Sequence, residues 1–274
     1  METNLFAAAR ACLTECDPAA KLAAVDALVR RWRAGELSLA RQAPLPDLVD
    51  AGRPDRPELV APRDLPRRRL GSPEGQAAML HAIAHIEFNA INLACDAVYR
   101  FRDLPPGYYD DWLRVAEEEA RHFALLTDRL AELGYAYGDF PGHNGLWDLA
   151  VKTRHDPLVR MAMVPRVMEA RGLDVTPDIQ EKFRRIGDAR SVAILDVILR
   201  EEIGHVAAGS RWFRYLCRQA NRDPESTYFE LLEAYFGDGP RCPLHLEARR
   251  AAGFSDAELT RLEGLCRGSP TQPG

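Results

Sequence analysis

Glu119-Ala120-Arg121-His122 and Glu202-Ile203-Gly204-His205 repeat one pattern, Glu-x-x-His, near the middle of two long helical stretches. Residues three apart lie on one side of an α-helix, so each stretch aims a carboxylate and an imidazole at one spot. Both spots fall on the stripe where a helix of a folded protein is normally apolar. A carboxylate buried there without a compensating charge is costly. Two such pairs point to a metal centre that supplies the missing positive charge.

Hydrophobic periodicity predicts four long helices around these motifs. The first opens at Ser72-Pro73-Glu74, a cap followed by proline at the first helical position, and covers 75–102. Leu80, Ile83, Ala84, Ala90, Ile91, Ala94 and Val98 form its stripe, and Glu87 falls inside it. The second covers 108–133, ends at Gly134, and directs Trp112, Val115, Ala116, Glu119, His122, Leu126 and Leu130 inward. The third covers 157–173 with Met161, Ala162, Pro165, Glu169 and Leu173 inward; Pro165 is expected to kink it or mark an irregular turn. A separate short segment is expected from Thr176-Pro177 to Ile186. The fourth covers 188–219 and directs Ile194, Leu195, Ile198, Glu202, His205, Val206 and Phe213 inward.

The remaining chain frames these helices. Residues 3–15 and 18–34 read as helices, the second capped by Asp17-Pro18. Proline recurs at Pro44, Pro46, Pro54, Pro57, Pro62, Pro66 and Pro73, so 41–74 reads as an extended strap. A loop at 138–145 and a short helix at 146–153 make the connection between the second and third long helices far longer than the turn Leu104-Pro105-Pro106-Gly107. Short helices are expected at 224–236, 244–252 and 256–266, followed by a frayed tail, Gly268–Gly274. No strand is expected. The predicted fold is all-α: a helical hairpin (1–40), the strap (41–74), a four-helix bundle with a long crossover (75–220) and short C-terminal helices (221–274).

Four inward glutamates and two inward histidines sit on the four long helices. Glu87 precedes Glu119 by 32 residues and Glu169 precedes Glu202 by 33; Glu87 to Glu169 is 82 and Glu119 to Glu202 is 83. The chain therefore reads as two helical hairpins, each offering one Glu and one Glu-x-x-His. Glu87, Glu119, His122, Glu169, Glu202 and His205 make the ligand set of a carboxylate-bridged centre holding two iron ions, or manganese or a mixed pair, in a four-helix bundle. Zinc alone needs no doubled arrangement. These two are the only histidines among the seven with glutamate at −3.

Glu118 and Glu201, each four residues before a motif histidine, have two readings: acceptors for the distal ring N–H of His205 and His122 respectively, or solvent-facing acids. Arg121 either offsets the excess of carboxylates or lies at the surface. His81 and His85 read as structural or surface residues, and Tyr108, Tyr109 and Trp112 line a pocket or simply pack. Asn89 and Asn92 receive no role. No catalytic residue beyond the metal ligands and no organic cofactor site is assigned.

The net charge of −5 over 274 residues offers no basic face for nucleic acid. Arg30-Arg31-Trp32-Arg33 and Arg67-Arg68-Arg69 read as solvated or ion-paired surface. The N-terminal residues lack a signal-peptide pattern, and no apolar run approaches a membrane span. Six scattered cysteines form no C-x-x-C pair. A cytoplasmic protein is expected, with Cys12 and Cys16 as reduced thiols.

The stretches His81-Ala-Ile-Ala-His85-Ile-Glu87, Glu117-Glu-Glu-Ala-Arg-His122, Met168-Glu169-Ala-Arg-Gly-Leu-Asp174 and Glu201-Glu-Ile-Gly-His205 resemble the ferritin-like superfamily, and within it an uncharacterised bacterial family, domain of unknown function 455. The resemblance covers about 70–220 well and the N-terminal region loosely. It implies a ferritin-like bundle and the same six residues as iron ligands. Hydroxylases of tRNA and of quinone are distant relatives with this ligand pattern, which implies an O2-activating oxidase or hydroxylase with an unidentified small-molecule or macromolecular substrate and an unidentified electron donor. Two other functions stay open: a non-catalytic metal-binding or interaction protein, and a ferroxidase. Ferritins proper usually lack the second histidine. The oligomeric state is open, with a homodimer among the options.

Overall fold

A computed structural model describes residues 4–40, 46–65, 70–237 and 239–268. Within these the chain is all-α, with only two isolated backbone bridges, Asn4 to Ser38 and Leu59 to Gly142. It divides into two compact units, Met1–Val151 and Lys152–Gly274. Among the described residues no helix is long and apolar enough to cross a membrane.

The first unit holds α1 (Leu5–Thr14), α2 (Pro18–Arg33), α3 (Pro73–Arg100), α4 (Pro106–Glu132) and α5 (Gly145–Lys152). Side-chain caps start three of them: Asn4 Oδ1 accepts from the N–H groups of Phe6 and Ala7, Asp17 from Ala20, and Ser72 from Gly75. A five-residue turn joins α3 to α4, so the two pack as an antiparallel hairpin; α1 and α2 lie against them. The orphan carbonyls ending α1 are met from another helix. Fully buried Lys21 donates to Cys12 O (3.0 Å), Leu13 O (3.2 Å) and Asn92 Oδ1 (2.5 Å). That gives Asn92 the role that helical pattern alone withheld.

The described part of the proline-rich stretch contains one 3₁₀ turn, Pro62–Asp64. Its backbone is stitched to its own unit. Tyr99 Oη donates to Pro46 O, Arg100 to Leu48 O (2.6 Å), Trp147 to Val49 O (2.9 Å) and Gly52 N–H to Leu13 O (2.8 Å). Arg30, Arg31 and Arg33 form ion pairs with Asp26, Glu36 and Glu117, as expected of a paired surface. Arg67-Arg68-Arg69, Pro44, Pro66 and the tail beyond Gly268 lie outside the described residues. Tyr108, Tyr109 and Trp112 are packed core residues, and the two tyrosines donate to Ala97 O and Phe101 O.

His81 and His85 are buried rather than superficial, which removes the surface alternative. His81 Nε2 accepts from Gly138 N–H (2.9 Å), while His85 Nδ1 meets Tyr137 Oη (2.9 Å) and its Nε2 meets His143 O (3.1 Å). Burial pushes the His81 pKa down to about 4, with His85 adding to it. The folded value lies below the unfolded one, so this stabilisation is full above about pH 6.5 and is lost as pH falls towards 4. Over that window the protein is expected to lose about 2 kcal/mol more stability than a His81→Gln variant does. Urea midpoints at pH 7 and pH 4.5 check this; identical pH slopes would refute it.

The second unit holds α6 (Pro157–Met163), a π-helical turn (Val164–Glu169), α7 (Ala170–Arg185), α8 (Ala189–Gln219), α9 (Pro224–Phe236), α10 (Leu246–Ala251) and α11 (Asp256–Gly268). Pro165 is the irregularity: without an N–H it cannot continue the i→i−4 ladder, and the turn widens to i→i+5. Gly209 of α8 receives the proline ring, for a Cβ there would stand 2.3 Å from Pro165 Cβ and Cγ.

One expectation is corrected in this unit. The helix after Glu169 does not stop before Thr176-Pro177; α7 runs through Pro177. Leu173, Thr176, Gln180 and Phe183 keep one buried stripe across the proline, and that burial outweighs the lost ladder bond, a penalty of about 3 kcal/mol in an unsupported helix. Cysteine usage adds a finding that cysteine spacing did not address. Cys12 and Cys16 are free, but Cys242 and Cys266 form a disulfide across 24 residues. Cys242 precedes α10 and Cys266 lies within α11, and sequence spacing alone does not bring them together.

Candidate metal centre

Glu87 enters the site from α3, one buried position in a stripe that otherwise carries Leu80, Ala84, Ile91 and Ala94. Glu119 and His122 enter from α4, three residues apart and therefore on one face. The α3–α4 hairpin brings them together. His122 Nδ1 lies 3.1 Å from Glu87 Oε2 and 3.4 Å from Glu119 Oε2. One ligand atom from each of the three residues lies within 4.8 Å of the others, and relative exposures of 4%, 0% and 0% shut the group off from bulk water.

Electrostatics record the strain of that arrangement. Burial pushes the Glu87 carboxyl up to about 8, the neighbouring Glu119 carboxylate adds to it, and His122 opposes it. For His122 burial disfavours the charged ring, yet hydrogen bonds and charges from Glu119 and Glu87 more than offset this and lift it to about 11. The two acids are thus tolerated by keeping positive charge on or near the imidazole.

In the second unit, α8 places Glu202 beside His205, with Oε1 to Nδ1 at 3.2 Å and both residues buried. The geometry repeats that of Glu119 and His122, with each imidazole presenting Nδ1 to the carboxylate three residues earlier. Glu169 closes the π-helical turn with its side chain buried. Among the described residues of this unit, it forms no three-donor group with Glu202 and His205 at the spacing found on α3 and α4.

A family model described as "Protein of unknown function (DUF455)" matches residues 14–260. The chain belongs to this family. An uncharacterized protein of Haemophilus influenzae is 47% identical to the chain over 235 residues, covering 82% of each. No solved structure matches.

Around its candidate centre this DUF455 protein carries features that helical pattern did not mark. Phe88 and Phe123, each directly after a candidate ligand, pack at 5.3 Å between ring centroids, and Tyr137 meets Phe123 edge-on at 4.9 Å. Asn89 Nδ2 donates to His85 O (2.8 Å), tying α3 at the turn that bears Glu87. A phenylalanine directly after Glu87 and after His122 was the available signal; Tyr137 arrives from a loop and left none. Glu118 is half-buried and accepts from Arg114 (3.4 Å), Glu201 is half-buried with Arg200 at 3.9 Å, and Arg121 is exposed.

The donor set fits a divalent metal. Carboxylate oxygens with imidazole nitrogen suit Fe(II), Mn(II) and Zn(II), and a dry site strengthens their attraction for a cation. A buried group of Glu and His able to hold a metal ion is therefore a property of this chain.

Proposed function

We propose that the protein is a dinuclear non-haem metal protein of ferritin-like architecture that uses O2 to oxidise or hydroxylate an organic substrate. In this reading α3, α4, the α6–α7 stretch and α8 form the four-helix bundle. Glu87, Glu119 and His122 serve one side of the centre, and Glu169, Glu202 and His205 the other. Two iron ions are the first choice, with manganese or a mixed pair as the alternative, because both metals accept this donor set. The observation that carries the reading is the closed Glu87–Glu119–His122 group, with a second buried Glu-x-x-His of the same geometry on α8.

Bound metal would supply the reduction of O2 and the oxidising power directed at the substrate. The chain's own residues hold and neutralise the cations through the glutamates, orient the imidazoles and exclude water through the Phe88, Phe123 and Tyr137 wall. Glu118, Glu201 and Arg121 belong to the proposal as groups that orient the histidines or balance charge. An external reductant, a cytoplasmic location and a homodimer remain parts of the same reading.

The test is anaerobic loading of the purified full-length chain with Fe(II), followed by metal analysis and exposure to air. Two iron ions per chain and a near-ultraviolet band that bleaches on reduction are expected. Zinc retained at one ion per chain, with no such band, would turn the centre into a structural site. No retained metal would end the proposal.

A further inference from the structure

The second unit contains a buried cation that the metal reading leaves unused. Arg166 lies on the π-helical turn, three residues before Glu169, and is 0% exposed. Its guanidinium carbon sits 4.4 Å from the ring centroids of Tyr228 and Phe254 and 4.9 Å from that of Phe213. Nη2 donates to Glu258 Oε1 (2.8 Å) and Nε to Ser210 Oγ (3.2 Å). The backbone is held as well: Tyr228 Oη donates to Arg166 O (3.3 Å), and the adjacent Pro165 ring fills the notch at Gly209.

Several elements thus converge on one irregular turn: α8 through Ser210, Phe213 and Gly209, α9 through Tyr228, and α11 through Glu258. A second buried pair extends the grip one turn onward, where Arg249 of α10 donates twice to Asp174 of α7 (2.9 and 2.7 Å). A buried ion pair is weak evidence for stability, because apolar residues of similar volume often do as well or better. Its use here is positional. A π turn interrupts the α-helical ladder on either side of it, and such turns recur at functional sites. The side chain at its end, Glu169, takes whatever direction the turn takes.

We propose that Arg166, locked by Glu258, is a positioning residue that sets the direction of the Glu169 carboxylate. The C-terminal helices α9–α11 then act as the brace of a metal ligand rather than as an appendage. This inference rests on the dinuclear reading, in which Glu169 is a ligand.

Two variants test it in the full chain: Arg166→Lys, which keeps charge but loses the fork, and the double variant Arg166→Met with Glu258→Met, which replaces the pair by apolar volume. Circular dichroism and thermal melting report the fold, and anaerobic Fe(II) titration with Mn(II) electron paramagnetic resonance reports the sites. Both variants are expected to fold, to bind one ion as the wild type does, and to bind the second roughly 10–100-fold more weakly, the usual effect of losing a support behind a ligand. Folded variants that bind both ions with wild-type affinity overturn the role of Arg166. Failure of both variants to fold overturns it too, by assigning the group to stability. A wild-type chain that binds fewer than two ions refutes the dinuclear reading first, and this inference falls with it.

Discussion

Glu119→Gln is expected to leave the protein folded and to weaken its metal binding by more than about 100-fold. Loss of a group behind a ligand already reduces metal affinity roughly 10–100-fold, and Glu119 offers a carboxylate oxygen of its own, grouped with a Glu87 oxygen and a His122 ring nitrogen. The amide is nearly the same size but carries no charge. Because Glu119 is fully buried, the variant removes a charge that folding would otherwise desolvate, so the metal-free protein keeps its structure. Metal analysis after Fe(II) loading, beside thermal melts in chelator, separates the two effects. A folded variant with undiminished metal would show that the group does not bind metal through Glu119.

Gly209→Ala carries the second large effect, and it falls on stability. The added Cβ would stand 2.3 Å from two ring carbons of Pro165, a distance real Cβ atoms do not reach. Pro165 cannot swing aside, since its ring is closed on the backbone and the π turn is fixed by Arg166 and Tyr228. The helices must separate, at a cost of about 3 kcal/mol, the upper end of what overpacking typically costs. For a chain of this size that lowers the melting temperature by roughly 6–12 °C. Pro165→Gly in the same chain should restore part of the loss, because it removes both side-chain carbons that the new Cβ would meet, and a differential scanning measurement of the double variant would show it. No change in the single variant would mean that α8 does not approach the turn so closely.

These two positions differ in how well a linear reading reaches them. Glu119, His122 and Glu87 were legible because helical periodicity is local: spacing of three and four assigns each side chain to a face, and only an acid on an apolar face needs a special explanation. Caps at Asp17-Pro18 and Ser72-Pro73 were legible for the same reason, since a helix start is decided within four residues. Gly209 was not, because a glycine inside a helix announces nothing until its neighbour is known. Pro177 misled for the converse reason. Its local penalty is real, but Leu173, Thr176, Gln180 and Phe183 bury a stripe across it.

The amino-acid order alone determined an all-helical chain, where its long helices run and which acids and imidazoles face inward, because each of these depends on neighbours within about two turns. Tertiary structure decided that Lys21 ends α1, that Cys242 meets Cys266, that His81 and His85 are interior and that Arg166 is caged by rings from α8, α9 and the loop before α11. Each of those pairings joins residues distant in the chain, and only the packing of whole helices, driven by burial of their apolar faces, brings such residues within reach.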